Sequence, residues 1–452
     1  MGSYQRARGG CEDALEREDV NPNQTDTQYG RTPLNWAAEK GHQGIVKMLL
    51  ERDDVNPDQP DTKYGRTPLA LAAVRGDEAV LKMLLERDNV NPNQPDTQYN
   101  RTPLWLATAN RHEGVAKMLL ERDDVNPNHP DTEYSRTLLW LATANGHEGV
   151  AKMLLERDDV NPNHPDTEYS RTPLWLATAN RHEGVAKMLL ERDDVNPNLP
   201  DAQYSRTPLS LAAENGHEGV VKMLLERDDI NPDQPDAIHG RTPLSWAVVG
   251  GHEGAVKMLL ERDNVNPNLP DTQYSRTPLS WAVVGGHEGV VKMLLERDDV
   301  NPNLPDTQYS RMPLSLAAEN GQEGVVKMLL ERDDINPDQP DVIHGRTPLS
   351  WAVVGGHEGV VKMLLERDDV SPNQPDTQYG RMPLSWAAEK GREGVVKMLL
   401  EPKDVNPDQP VTKYGRRLLE WAVSNRYEEV IQIILARKDV NPNQEFKIFR
   451  YV

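Results

Sequence analysis

The sequence predicts an all-α solenoid, in which short helix-turn-helix units with extended finger loops stack one on the next. Three observations predict it. An arginine recurs at Arg31, Arg66, Arg101, Arg136, Arg171, Arg206, Arg241, Arg276, Arg311, Arg346, Arg381 and Arg416, each 35 residues after the last, without insertion or deletion. Between these arginines nearly the same text returns, as in RTPLSWAVVGGHEGVVKMLLERDDVNPNLPDTQYS from Arg276 to Ser310. Each copy is too small to bury its own apolar face, so its neighbours must cover it.

The elements of one unit follow from local chemistry. Thr277 and Pro278 start a helix, because a threonine oxygen accepts from free backbone donors and proline at the first helical position has no donor to satisfy. Leu279, Ala282 and Val283 fall on one face, and the alanine admits a close neighbour. Gly285 and Gly286 end that helix. Glu288 to Arg297 reads as a second helix, with Val290, Met293 and Leu294 on one face and Val291 and Leu295 beside them. Apolar around so much of its girth, it should be packed on more than one side. Asp299 to Tyr309 carries Pro302 and Pro305 and cannot be helical, so it is expected to be an exposed finger. Leu138, Met312 and Met382 interrupt the T-P start, and each lost threonine cap is expected to cost about 1 kcal/mol.

Helix, glycine turn, helix and finger, opened by T-P-L, resemble the ankyrin repeat, a unit of about 33 residues with T-P-L-H-x-A. GRTPLSWAAEKGREGVVKMLLE, from Gly380 to Glu401, follows that pattern nearly throughout, and the resemblance covers about residues 14 to 444. Three departures matter. Serine replaces the histidine in six units, as at Ser280, so the family's threonine-histidine hydrogen bond is not expected there. The glycine that usually ends the second helix is missing. The finger is three residues longer and gains a proline, and repeat insertions tend to fall on the binding face. The resemblance implies an ankyrin-repeat solenoid that acts as a protein-protein interaction scaffold, its fingers and first helices lining a concave groove for a partner. The alternative is the recognition half of a larger nucleotide-switch regulator, with its effector domain upstream.

The chain divides into a non-repeat segment (1–13), a partial repeat (14–30), the twelve-unit array (31–443) and a tail (444–452). The array begins inside a unit, so either the present start truncates a longer protein or residues 3 to 13 fold over the open end. The last unit keeps an apolar spine at Leu419, Ala422, Val430, Ile433 and Ile434. It is charged elsewhere, at Arg417, Glu420, Arg426, Glu428 and Glu429, as a cap should be. Phe446 and Phe449 in the tail either cover the last helix pair or form a short docking segment. Twelve pairs at roughly 10 Å each should give an elongated, curved rod on the order of 100 Å, which solution scattering tests and a compact globule would refute.

The net charge of −21 is spread along the chain; it keeps a long array soluble, repels nucleic acid and anionic membrane and favours basic partners. Cys11 is the only cysteine and residues 1–20 lack the apolar run of a signal peptide, so a cytosolic or nuclear location and a monomer that binds protein are expected. No cofactor is expected. GHEGV imitates H-E-x-x-H, but Val291 stands at the second ligand position. Eight of the twelve histidines occupy this inter-helix turn, where a structural hydrogen bond is expected. His129 and His164, one unit and roughly 10 Å apart, are too distant to share a zinc ion without bent fingers. Asp299, Asn301 and Asn303 open like a calcium loop, but Leu304 and Ser310 occupy the glycine and glutamate positions, so turn chemistry explains them. No catalytic residue stands apart from the repeats, and the chain is not expected to be an enzyme.

One block differs. Units three to five read WLATAN, with Trp105, Trp140 and Trp175 where others have serine. Beside this stripe Asn110, Arg111 and Arg181 vary, and the fingers carry His129, Glu133, His164 and Glu168. Tryptophan and arginine in a polar surround suit an interface, which makes these ten residues the candidate partner site. Alternatively, the three indoles pack between units.

Overall fold

The computed structural model of the chain describes residues 20–308, 310–401, 405, 418–437 and 440. The segment 1–13, the start of the partial repeat, Arg417 and the tail with Phe446 and Phe449 lie outside the described residues. Among the described residues there are 24 helices and no strand, and the helices come as twelve pairs from Pro33–Lys40 and Gln43–Leu50 to Leu418–Ser424 and Glu428–Leu435. They form two compact units, Met1–Ala212 with Gly219–Asn231 and Ala213–Glu218 with Pro232–Val452. Within each, first helices pack on first helices and second on second.

The start signals work as expected. Thr277 accepts from the Ser280 backbone N–H at 3.3 Å, ahead of a helix over Pro278–Gly285 that Gly286 closes in the left-handed region at φ 70°. Thr137 still caps its helix although Leu138 has replaced the proline, whereas Met312 and Met382 make no side-chain cap. The cap is therefore lost in two of the three interrupted units. The histidine's absence is also compensated: the Thr277 hydroxyl donates to Ser280 Oγ at 3.3 Å, and the same bond recurs at Thr242 and Thr347. Leu279, Ala282, Val283, Val290, Val291 and Leu294 are at most 1% exposed, while Met293 and Leu295 are half-buried.

The second helix, Glu288–Leu295, stops two residues before the expected Arg297, and without a glycine. Its end is satisfied from outside. Arg297 reaches back to donate from Nη1 to the Leu260 carbonyl at 2.7 Å, which is the last residue of the preceding second helix, and Arg87 does the same for Leu50 at 2.7 Å. An orphan carbonyl that a left-handed glycine turn would have served is served by the next unit's arginine.

The fingers are tied to each other by asparagine. Asn268 donates from Nδ2 to the Asp299 carbonyl at 2.7 Å and accepts from the Asn301 N–H at 2.7 Å, while Asn303 N–H closes the local turn on Asn301 Oδ1 at 2.9 Å. Both halves of one amide are used. At the corresponding place Asp58 accepts from the Asn91 N–H at 2.7 Å, but its Oδ1 is buried without a hydrogen bond, since a carboxylate cannot donate to a carbonyl. Burial pushes the Asp58 pKa up from 3.8, against the Asn91 N–H, which lowers it. A group whose folded pKa is raised opposes folding once it is ionised. Its penalty is absent below the unfolded value and grows as pH rises through the folded one. Asp58→Asn should therefore stabilise the first compact unit by about 1 kcal/mol at neutral pH. Urea unfolding at pH 7 and below pH ~4 should show the gain shrinking in acid; a pH-independent gain would refute this account.

Candidate functional site

The finger is less exposed than its composition suggests, because one aspartate organises it from inside. Asp271, 2% exposed, accepts the N–H groups of Tyr274 at 2.8 Å and Arg276 at 3.2 Å on Oδ1, and the Trp281 indole N–H at 2.9 Å on Oδ2. The preceding unit's Arg241 stands 3.7 Å from the same Oδ2. Arg276 in turn lies 5.0 Å from the Tyr274 ring and 4.9 Å from the Trp281 ring, and pairs with Asp306 of the following finger at 3.4 Å. Arg31, Arg101, Arg136, Arg171, Arg346 and Arg381 likewise lie over two aromatic rings, while Arg66 lies over Tyr64, an arrangement that adds cation-π attraction to the ion pair. Backbone bonds join finger to finger as well, Thr272 N–H to His239 O at 2.7 Å and Thr307 N–H to Tyr274 O at 2.8 Å. These bonds pin the stems, while Asp299, Asn301, Pro305 and the tip at Thr307 and Gln308 face water. The sequence signal for this network was available: an aspartate stands five residues before the unit's arginine in eleven fingers, from Asp26 to Asp376.

The tryptophan block lies in the first compact unit. Trp105 and Trp175 are 6% and 7% exposed and Trp140 is half-buried. Trp175 forms a cluster with Leu176 and Leu211, against which Trp140, Ala144 and Ala179 pack, so these indoles fill the space between units. Their position explains why. At the fourth residue after the arginine an indole reaches forward, Trp175 donating to the Arg206 carbonyl at 3.0 Å and Trp140 to Asp166 Oδ2 at 3.2 Å and the Arg171 carbonyl at 3.1 Å. At the fifth residue it reaches back to its own finger, as Trp246 does to Asp236 at 3.1 Å.

The remaining candidates divide by surface. Asn110, Arg111 and Arg181 are exposed on the inter-helix turns, and Glu133 and Glu168 are exposed at finger tips. His129 and His164 are half-buried, His164 Nε2 lying 3.2 Å from the Ser135 carbonyl. Glu133 is clamped by Arg101 at 3.0 Å and Arg136 at 2.8 Å. Of the ten, Trp140 and Glu168 come together in one shallow pocket, with Tyr134, Arg136, Asp166, Tyr169 and Arg171. The Glu168 carboxylate there takes a hydrogen bond from Tyr169 and pushes that phenol's pKa up. The turn histidines have the structural role expected where their bonds are resolved. His112 Nε2 lies 3.0 Å from Val74 O, His252 and His357 lie 2.8 Å from Glu214 O and Glu319 O, and Gln322 substitutes with a bond to Val283 O at 2.8 Å.

Among the described residues no group of three or more His, Cys, Asp or Glu is placed to hold a metal ion, and no helix is long and apolar enough to cross a membrane. No curated protein matches the chain. The profile described as Ankyrin repeats (3 copies) matches in overlapping stretches from residues 7–96 to residues 368–445, and ankyrin repeats generally mediate protein-protein interaction. Paired helices, T-P-L caps, glycine turns and projecting fingers agree with that match over nearly the whole length: the chain belongs to the ankyrin-repeat family.

Proposed function

We propose that this chain is a protein-binding scaffold, without catalysis of its own, that engages a partner through its finger tips and the neighbouring inter-helix turns. One observation carries the reading. The second residue after the finger aspartate is exposed in every described finger and takes four identities, glutamine in six fingers and Lys63, Glu133, Glu168, Ile238 and Ile343 in the others, while the aspartate is kept in all eleven. Rigid presentation of variable side chains lowers the ordering cost of binding. Asn110, Arg111, Glu133, Glu168 and Arg181 then make contact directly, with His129 and His164 beside them. The indoles of Trp105, Trp140 and Trp175 hold the platform under them. A chain with one cysteine suits this work in the cytosol or nucleus.

Photo-crosslinking side chains placed at Glu133, Glu168 and Ile238, and at Lys152 on a second helix, would test this in extracts of the source cells. Partner adducts should form from the three tips and not from Lys152. Equal labelling from all four positions would overturn the assignment of the binding face.

A further inference from the structure

Three arginines stand apart from all the others. Among the described residues Arg111, Arg181 and Arg426 are the arginines whose guanidinium makes no hydrogen bond, ion pair or aromatic contact, and all three are exposed. All three also have a left-handed backbone, at φ 63°, 60° and 61°. The other nine units place glycine there, from Gly41 at φ 68° to Gly391 at φ 63°. A β-carbon makes this conformation costly, and glycine avoids the cost.

Arg111 also acts on the next unit. His112 finds the Val74 carbonyl at 3.0 Å, whereas His147, 8% exposed, has no hydrogen bond at Nε2. Burial, and then the charge of Arg111, push the His147 pKa down. Glu113 and Glu183, two residues further along from Arg111 and Arg181, make no ion pair with them. The Glu113 carboxylate leans over Gly149 and the Glu183 carboxylate over Gly219, each at the start of the next second helix, where the helix dipole favours an anion. Two strained, solvent-facing cations with no internal use point outward. The recurrence at Arg426, in the diverged last unit, shows that the choice is not confined to the duplicated block.

We infer that Arg111 and Arg181, on the turns of the third and fifth units, are a two-point anchor for carboxylates of a partner protein. They are two stacking steps apart, roughly 20 Å, with Gly146 leaving a gap between them. The inference rests on the protein-binding reading above and names the chemistry its partner must offer. Guanidinium forks match carboxylates two by two. Nucleic acid fits worse, because its charges lie at about 1.7 Å intervals along the duplex axis, while this anchor has two cations on a chain of net charge −21.

The probe is a fluorescent peptide, Glu-Glu-(Gly-Ser)3-Glu-Glu, long enough to span both arginines, titrated into the full chain at low ionic strength. The Arg111→Gly and Arg181→Gly double variant should weaken peptide binding at least fivefold. It should also raise the thermal unfolding midpoint by roughly 2–4 °C, as relief of strain requires. Arg392→Gln, which removes an arginine bonded to the Gly355 carbonyl, should leave peptide affinity unchanged. Equal affinity for the double variant, no binding to the native chain, or tighter arginine-dependent binding of a duplex oligonucleotide would each overturn the anchor. Crosslinks from the finger tips would survive that outcome, so the scaffold reading and the anchor fail separately.

Discussion

Asp271→Ala is expected to destabilise the second compact unit by about 3–5 kcal/mol, the cost of leaving a buried charge without its partner. The carboxylate satisfies two backbone N–H groups and the Trp281 indole and faces Arg241. Its loss leaves those donors buried beside a cation that has lost one counter-charge. Asp271→Asn keeps the shape and one acceptor and should cost less. Guanidinium unfolding of both variants, with hydrogen exchange to localise the opening, provides the check. Loss of protection should centre on the fingers around residues 271 and 306, because contacts in a stack run between neighbours. A cost under about 1 kcal/mol for Asp271→Ala would mean that the network contributes little to holding the finger.

Replacing Trp140 and Trp175 together with serine should be nearly as damaging. Removing a buried indole costs about 3–5 kcal/mol. The pair packs in one cluster with Leu176 and Leu211, so the two losses will not simply add. Serine is native at this position elsewhere, but in units seven, eight, ten and eleven the indole has moved to the next residue. The substitution therefore does not import that packing. The expected result is early, separate unfolding of the third to sixth units in urea. If the double variant instead folds normally and loses partner binding, the indoles are contact residues after all.

The repeat itself was legible because its signals are local. Thr277, Pro278 and Gly286 each act within one turn of the helix they bound, and the apolar spacing of Leu279, Ala282 and Val283 fixes the buried face. The missing parts were those whose partner lies a whole unit away. No local pattern tells that Arg297 caps Leu260, or that Asn268 reaches the Asp299 carbonyl. The turn reading fell on Asp299, which is exposed, whereas the buried aspartate is Asp271, on one oxygen of which Trp281 and Arg241 converge. Within the candidate site, exposure of the tip residues was readable from their variation. The fate of the tryptophans was not, because adjacent helix positions differ by about 100° and decide which neighbour an indole meets.

The bonds between units also set a schedule for synthesis. Arg276 meets its aspartate 30 residues later, Asn268 its carbonyl 31 residues later, and Gln322 reaches back 39 residues. None needs more than the adjoining unit. On the ribosome, where about 5–20 residues are added each second, the next 35-residue unit emerges every ~2–7 s. Each arriving finger finds its arginine already in place. The span of sequence that must be closed stays the same for the second unit and the twelfth, so the entropy of closure does not rise as the chain lengthens. Folding can keep pace with translation from the first units onward, and the nascent chain never carries more than about one incomplete unit exposed to aggregation.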